Sequence, residues 1–364
     1  MLEPRITWIY RCREATVTNK VRIILGALLA VSCLAPLYSQ GGGQTWWVNK
    51  TKGGVYPAPM RPLWKLSELK AKYAGRNNWS EQIIKDPEQD ATYNSAAPGT
   101  KFPRRLHPDT HTVFVVMAGE MHFTIEGQPP AVGTRGSIVN ILKSTIFSYE
   151  IAGTQNALWV EVNPNNYKTV YPSDDSPPPA APGAEVVKVA FNHTPASYTP
   201  PNQVHWNLFE AAAKCEQAGA KVNEDHLFAN PLYGFADPND PLNTCGGRGA
   251  GGGGRGGRGG AAAGGNAAAG GGGGRGARGA PAGPFNPNSV FGHMHAGPAE
   301  WWIVQVGHIK AQFENTGEFI AEEGDVLYAA PMTWHQMGFE GPGPSCRLAM
   351  GGYQLINMNN TAGQ

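Results

Sequence analysis

The chain has 364 residues and a formal net charge of +1; it is 41% hydrophobic and 10% aromatic but only 16% charged. Its 48 glycines and 30 prolines exclude a coiled coil or helical bundle and favour short strands with many turns, or a folded part joined to low-complexity sequence. Residues 246–283 carry five arginines and no acid; setting them and the first 22 residues aside leaves 19 basic against 26 acidic residues, about −7, which argues against a broad nucleic-acid footprint on the folded part.

At the N-terminus, Arg11, Arg13, Lys20 and Arg22 precede the apolar run Ile23–Val31, and the small residues after it complete a secretory signal. The run is short for a bilayer span, which needs about 20 apolar residues. Residues 1–40 therefore read first as a cleaved signal. An uncleaved anchor, or a lipoprotein box at Ala30–Cys33, stands as the alternative. Either way the sequence predicts an exported protein, periplasmic or secreted, or one held at the membrane by this segment.

Residues 41–104 read as an N-terminal extension with one short helix, Leu66–Tyr73. From 105 to 200 the texture turns to β. Thr112–Met117, Glu120–Ile125, Ser137–Leu142, Ile146–Ile151 and Ala157–Val162 are short apolar runs parted by glycines, as in a sandwich or barrel. Glu185–Phe191 reads as one more strand beyond the stiff Pro177–Pro182 segment. Residues 201–245 read as a helical connector, with helical spacing over Trp206–Cys215. The Gly/Arg/Ala-rich stretch 246–283 has no strand or helix period and reads as a disordered, flexible linker rather than an RNA-binding segment, since it lacks interleaved aromatics. Cys12 and Cys33 fall with the signal; Cys215, Cys245 and Cys346 are an odd number, so at least one thiol is free, and a Cys215–Cys245 bridge is open.

A second β region, 284–364, follows: Ser289–His295, Glu300–Val306, Ile309–Phe313, Asp325–Ala329, Trp334–Gly338 and Cys346–Met350. The two halves look like a diverged repeat. In each, a glycine that opens a strand (Gly136, Gly324) follows a strand-ending glycine (Gly119, Gly307) by 17 residues.

The chemistry lies in this second half. His293 and His295 are two apart, so on a strand both point to one face. Glu300 begins the next run, and His335 follows the Gly324 turn. Three imidazoles and one carboxylate suit a single divalent transition metal (Fe, Mn, Ni or Zn) and leave a coordination position open for substrate. Alternation puts Trp302 and Val304 on the Glu300 side of the strand. Trp302, Phe313, Tyr328 and Met337 are the candidate substrate-pocket residues, with Phe339 a further wall residue. A wall of this kind favours a small aromatic or apolar substrate over oxalate or a sugar phosphate.

The spacing His293-Met-His295, four residues, Glu300, six residues, Gly307, followed by Gly324 with His335 eleven residues on, resembles the two motifs of the cupin family. Pro287 stands where the first motif opens on glycine, Pro331 is one position late, Met332 replaces the inner glycine of the second motif, and Phe339 replaces its terminal Asn; all four ligand positions are kept. With the first half included, the chain resembles a bicupin: all-β, two jelly-roll barrels, with the metal motif intact only in the C-terminal one. In the first barrel Thr112 occupies the glutamate position and Phe147 the second-motif histidine. His107, Asp109, His111 and His122 remain as a candidate second ion site, against a metal-free first barrel. The resemblance implies a quercetinase-like dioxygenase with Glu300 as both ligand and general base. Two alternatives are a non-catalytic binding module for a small molecule or metal and a metal-dependent lyase or isomerase.

Overall fold

The computed structural model describes residues 47–213 except 177, 179, 181 and 201, together with 228–235, 292–352 and 357–359. The expected signal or anchor, Cys215, Cys245 and the glycine-rich linker lie outside the described residues. Among the described residues no helix is long and apolar enough to cross a membrane.

The elements in chain order are β1 (Leu63–Trp64), α1 (Leu66–Lys72), β2 (Trp79–Lys85), β3 (Gln89–Ala96), β4 (Lys101–Arg105), β5 (Thr112–Ala118), β6 (Glu120–Ile125), β7 (Ala131–Thr134), β8 (Ser137–Ile141), β9 (Phe147–Ala152), β10 (Ala157–Pro164), β11 (His205–Asn207) and α2 (Leu208–Ala213). After them come β12 (Phe228–Phe235), β13 (His293–Met294), β14 (Glu300–Val306), β15 (His308–Phe313), β16 (Gly317–Ala321), β17 (Val326–Ala329), β18 (His335–Glu340), β19 (Pro344–Gly351) and β20 (Met358–Asn359).

They pair into four antiparallel sheets that form two sandwiches of the jelly-roll kind. The first barrel joins the order β11-β8-β5-β10-β3-β2 to β4-β9-β6-β7, and the second joins β1-β17-β14-β19-β12 to β16-β15-β18-β13-β20. The repeat read from the glycines holds strand by strand: β8-β5-β10-β3 answers to β17-β14-β19-β12, and β4-β9-β6-β7 to β13-β18-β15-β16. Gly119 and Gly307 take equivalent turns with φ of +76° and +68°. A Cβ on Gly307 would lie 2.6 Å from the Pro344 carbonyl oxygen, so both backbone and space require glycine there.

Three cores follow from residue alternation. Phe114, Val116, Phe123, Phe147, Tyr149 and Trp159 fill the first barrel, and Trp302, Val304, Ile309, Phe313, Leu327 and Ala349 fill the second. The third lies between the barrels, where Val113, Val115, Met117, Ile83 and Tyr93 meet Trp301, Ile303, Tyr328, Leu348 and Met350. β5 and β14 are thus buried on both faces, which is why Val113–Met117 and Trp301–Val304 read as unbroken apolar runs. Trp301 donates its indole N–H across this interface to the Gln89 side-chain oxygen, and Gln305 Nε2 lies 2.9 Å from Met117 Sδ.

Several boundaries differ from those read in the sequence. β2 pairs with β3, and β3 with β10, so the first barrel begins near Trp79 rather than at 105. β1 pairs with β17, which makes this part of the expected extension an edge of the second barrel. β11 and β12, within the expected helical connector, edge the first and second barrels respectively. The helix itself starts at Leu208, where the Asn207 side-chain oxygen accepts the N–H groups of Phe209 and Glu210. Glu185–Phe191 forms no strand: Val186, Val187, Val189 and Phe191 are exposed, and β-propensity without a partner strand does not order a segment.

Candidate metal centre

The paired strands β13 and β18 set His293 directly opposite His335. β14 brings Glu300 in from the facing sheet. His295 arrives from the short turn between β13 and β14, whose carbonyl is held by the N–H of Met332 at 2.8 Å. Met332 sits at φ +60°, the left-handed conformation that the motif's glycine would supply. The departure at this position therefore leaves the turn intact.

The four candidate ligands converge: one donor atom from each of His293, His295, Glu300 and His335 lies within 4.8 Å of the others. Glu300 Oε2 is 2.8 Å from His295 Nε2, 3.1 Å from His335 Nε2 and 3.5 Å from His293 Nε2. The Nε2 atoms of His293 and His335 stand 3.1 Å apart. With metal–nitrogen bonds of about 2.0–2.1 Å, neighbouring donors of an octahedral ion lie about 3 Å apart and opposite ones about 4.2 Å. The separations are those of one coordination shell, and three nitrogens with one carboxylate oxygen suit one divalent transition metal.

Protonation fits as well. His335 Nδ1–H donates to the Thr333 carbonyl at 2.9 Å, which leaves Nε2 with its lone pair turned to the cluster. Burial, then the neighbouring His293, pulls the His335 ring down to about 4, so it is neutral at pH 7. Burial pushes the Glu300 carboxyl up, but the imidazoles of His293, His295 and His335 gathered on its Oε2 outweigh it and hold it well below the usual carboxylate range. All three imidazole contacts fall on Oε2.

Of the candidate pocket residues, Trp302 and Phe313 stand beside the cluster, with ring centroids 5.2 and 6.3 Å from that of His335. Met337 packs against the same barrel core. Tyr328 does not join them. It pairs with Trp301, shares that residue's outward face, lies in the core between the barrels, and donates its hydroxyl to Asp86 at 3.0 Å. Tyr328 is therefore corrected from a pocket residue to an interface residue. Sequence reasoning missed Arg347. On β19, Cys346, Leu348 and Met350 face the other barrel while Ala349 faces the interior, so Arg347 points inward with Ala349. Its guanidinium lies over the Phe339 ring, 5.1 Å from the centroid. The signal was the parity of Cys346–Met350, in which the lone charge falls on the inner face.

The first barrel shows what replaces the metal. Arg105 pairs with Phe147 as His293 pairs with His335. Ser144, at φ +58°, donates its N–H to the His107 carbonyl as Met332 does to His295. Arg105, His107, Thr112 and Phe147 thus occupy the positions of His293, His295, Glu300 and His335. The Arg105 guanidinium stacks on Phe147, 4.8 Å from its centroid, and bonds Glu161 at 3.1 Å. The alternative ion site does not form. His107 Nδ1 is held by the Lys168 carbonyl, His111 Nδ1 accepts the Lys143 N–H, His122 pairs with Glu120, and Asp109 is exposed. Among the described residues the second barrel holds the one metal-ligand cluster.

Comparison with protein-family models gives no match, and comparison with curated protein sequences gives none. Among solved structures, oxalate decarboxylase from Bacillus subtilis at pH 4.6 is similar at 10% identity, covering 85% of this chain and 79% of that one, with a TM-score of 0.45. A cupin 2 conserved barrel domain protein from Leptotrichia buccalis is similar at 12% identity, covering 79% of this chain and 94% of that one, with a TM-score of 0.44. The strand order itself gives two jelly-roll barrels, with the complete set of four candidate ligands in the C-terminal one.

Proposed function

We propose that the protein is an exported metal-dependent oxidoreductase of the dioxygenase type, acting on a small substrate with an aromatic or otherwise apolar body. The observation that supports it is the convergence of His293, His295, Glu300 and His335 beside the rings of Trp302 and Phe313, on the side where His293 and Met337 keep accessible surface. A divalent metal held there supplies Lewis acidity toward a hydroxyl oxygen and, if redox-active, a path for electrons to dioxygen. The chain does the rest. Trp302 and Phe313 exclude water from one side of the site. Thr333 fixes the His335 tautomer. Glu300 presents Oε2 to the imidazoles, which leaves Oε1 as the oxygen that accepts the substrate's hydroxyl proton.

Oxygen uptake by the iron-, manganese- and nickel-loaded protein, measured across a panel of phenols with substrate loss followed in parallel, tests this reading. Uptake that matches substrate loss is expected, and Glu300→Gln should lower turnover by roughly 100-fold or more, the scale of a lost general base. Substrate loss without oxygen uptake would move the protein to lyase or isomerase chemistry, and binding without loss would make it a binding module. The N-terminal sequence supports export. N-terminal sequencing of the native protein should find the chain beginning beyond Val31, and an intact Met1 on soluble cytosolic protein would refute export.

A further inference from the structure

Two of the four candidate ligands lean on one short loop. Met332 donates its N–H to the His295 carbonyl at 2.8 Å, and the Thr333 carbonyl accepts His335 Nδ1–H at 2.9 Å. Against this loop lies an irregular arm, Lys50–Gly54, that runs ahead of β1. Gly54 donates its N–H to Thr333 Oγ1 at 3.0 Å, and the Asn315 side-chain amide donates to the Gly53 carbonyl at 3.2 Å. A Cβ on Gly53 would lie 2.8 Å from Glu314 Oε2 and 3.0 Å from both the Met332 carbonyl oxygen and Thr333 Cα, so the arm packs directly on the loop backbone. Lys50 Nζ donates to both Glu314 oxygens, at 3.0 and 2.8 Å, while Glu314 Oε2 also accepts the Trp334 N–H at 3.1 Å. The Lys50 and Glu314 side chains are 24% and 18% exposed, so salt screens this pair less than one out in solvent.

The first barrel supplies a comparison. Glu126 holds the place of Glu314 there: it follows Ile125, the partner of Phe147, as Glu314 follows Phe313, the partner of His335. Glu314 donates its N–H to the Trp334 carbonyl at 2.8 Å, and Glu126 donates to the Ile146 carbonyl at 2.9 Å. Glu126 Oε2 also accepts the Ile146 N–H at 3.0 Å, and His193, from another irregular segment, lies 3.1 Å from that oxygen. The glutamate clasp is thus common to both barrels, but the grip on the threonine is not. Thr145, in the place of Thr333, turns its hydroxyl to the Lys143 carbonyl of its own loop at 3.3 Å. The threonine hydroxyl is held by an outside segment in the barrel where that residue's carbonyl orients a metal ligand.

We propose that the arm Lys50–Gly54 is a positioning element of the metal centre. Through Thr333 and the Glu314–Trp334 clasp it sets the His335 ring, and through Met332 it sets the turn that carries His295. The inference rests on the metal-dependent reading above and adds to it Lys50, Gly53, Gly54 and Glu314, none of which is a ligand. An imidazole already held at its donor position gives up little freedom when it binds the ion, so the arm acts on metal affinity and on donor geometry.

The test uses the full chain and cobalt(II), whose affinity is read by competition with a chelator and whose visible spectrum reports the donor geometry. Thr333→Val keeps the carbonyl and the side-chain shape but loses Oγ1. Lys50→Met loses the charge on Glu314, Lys50→Arg keeps it, and Glu126→Gln weakens the corresponding clasp of the first barrel. Thr333→Val and Lys50→Met should each weaken cobalt binding about tenfold or more, the scale for residues that orient a ligand, and should shift the visible bands. Lys50→Arg should restore most of the affinity. Glu126→Gln should lower the melting temperature of the metal-free protein and leave both cobalt readouts unchanged. If Thr333→Val and Lys50→Met bind cobalt with wild-type affinity and spectrum, whatever they do to the metal-free melting temperature, the arm is a structural staple and the proposal is overturned. An equal loss of affinity in Glu126→Gln, or failure of both Thr333→Val and Lys50→Met to fold, would overturn it too. If the wild type itself takes up no stoichiometric cobalt, the metal-dependent reading fails and the role of the arm falls with it.

Discussion

His295→Ala should leave the second barrel unable to hold a stoichiometric metal. Its Nε2 lies 2.8 Å from Glu300 Oε2, and the residue is 2% exposed, so no neighbouring side chain or bulk water can replace the lost donor without rearrangement. Loss of a residue that only hydrogen-bonds a metal ligand typically weakens metal binding by about 10–100-fold, and loss of a direct ligand should exceed that. Because the ion ties β13, β14 and β18 together, its binding adds to folding. With free metal a thousandfold above its dissociation constant that contribution is about 4 kcal/mol. The thermal midpoint of His295→Ala should therefore be lower than that of the wild type and should no longer rise on metal addition. His107→Ala, at the equivalent position of the first barrel, should keep full metal content. His111→Ala should keep it too, though it loses the acceptor of the Lys143 N–H at 2.9 Å and so some stability. Metal content and melting curves with and without added metal check all three.

Trp301→Ala should cost about 3–5 kcal/mol, the range for truncating a large buried aromatic, against a total stability of about 5–15 kcal/mol for a folded domain. Trp301 is fully buried between the barrels, packs with both sheets that face there, and donates to Gln89, whose side-chain oxygen would be stranded without it. The shared core couples the barrels, so calorimetry of the wild type should show one main transition and that of Trp301→Ala the same transition at a lower temperature. Two separate transitions, with only the later-numbered barrel moved by the substitution, would mean that the interface does not join them.

Much of this fold is legible in the sequence where one physical signal dominates. β6 and β14 carry apolar runs bounded by glycine, and the structure starts and ends them where those residues do. The four ligands are legible because a metal needs named donor types, and because period-two spacing puts His293 and His295 on one face. β3 is hidden for the opposite reason. Gln89, Asp90, Asn94 and Ser95 are polar and buried, and their partners come from Lys85, Gln82 and Trp301, which no local pattern reveals. Tyr328 was misplaced because its face depends on the register of β17 against β14. Glu185–Phe191 has the composition of a strand but no neighbour to pair with. Arg347 escaped notice because a charge in a strand ordinarily reads as the wet side; the interior of this barrel is where that rule fails.

The most direct measurement is metal analysis of the protein purified from its native source without added metal, with every transition metal quantified per chain. One equivalent of a divalent transition metal is expected, and it should be lost in full in His335→Ala, because His335 Nε2 lies 3.1 Å from both Glu300 Oε2 and His293 Nε2. Two equivalents, or one that survives His335→Ala, would place an ion outside the second barrel and contradict the assignment of His293, His295, Glu300 and His335. None at all would contradict the metal centre itself.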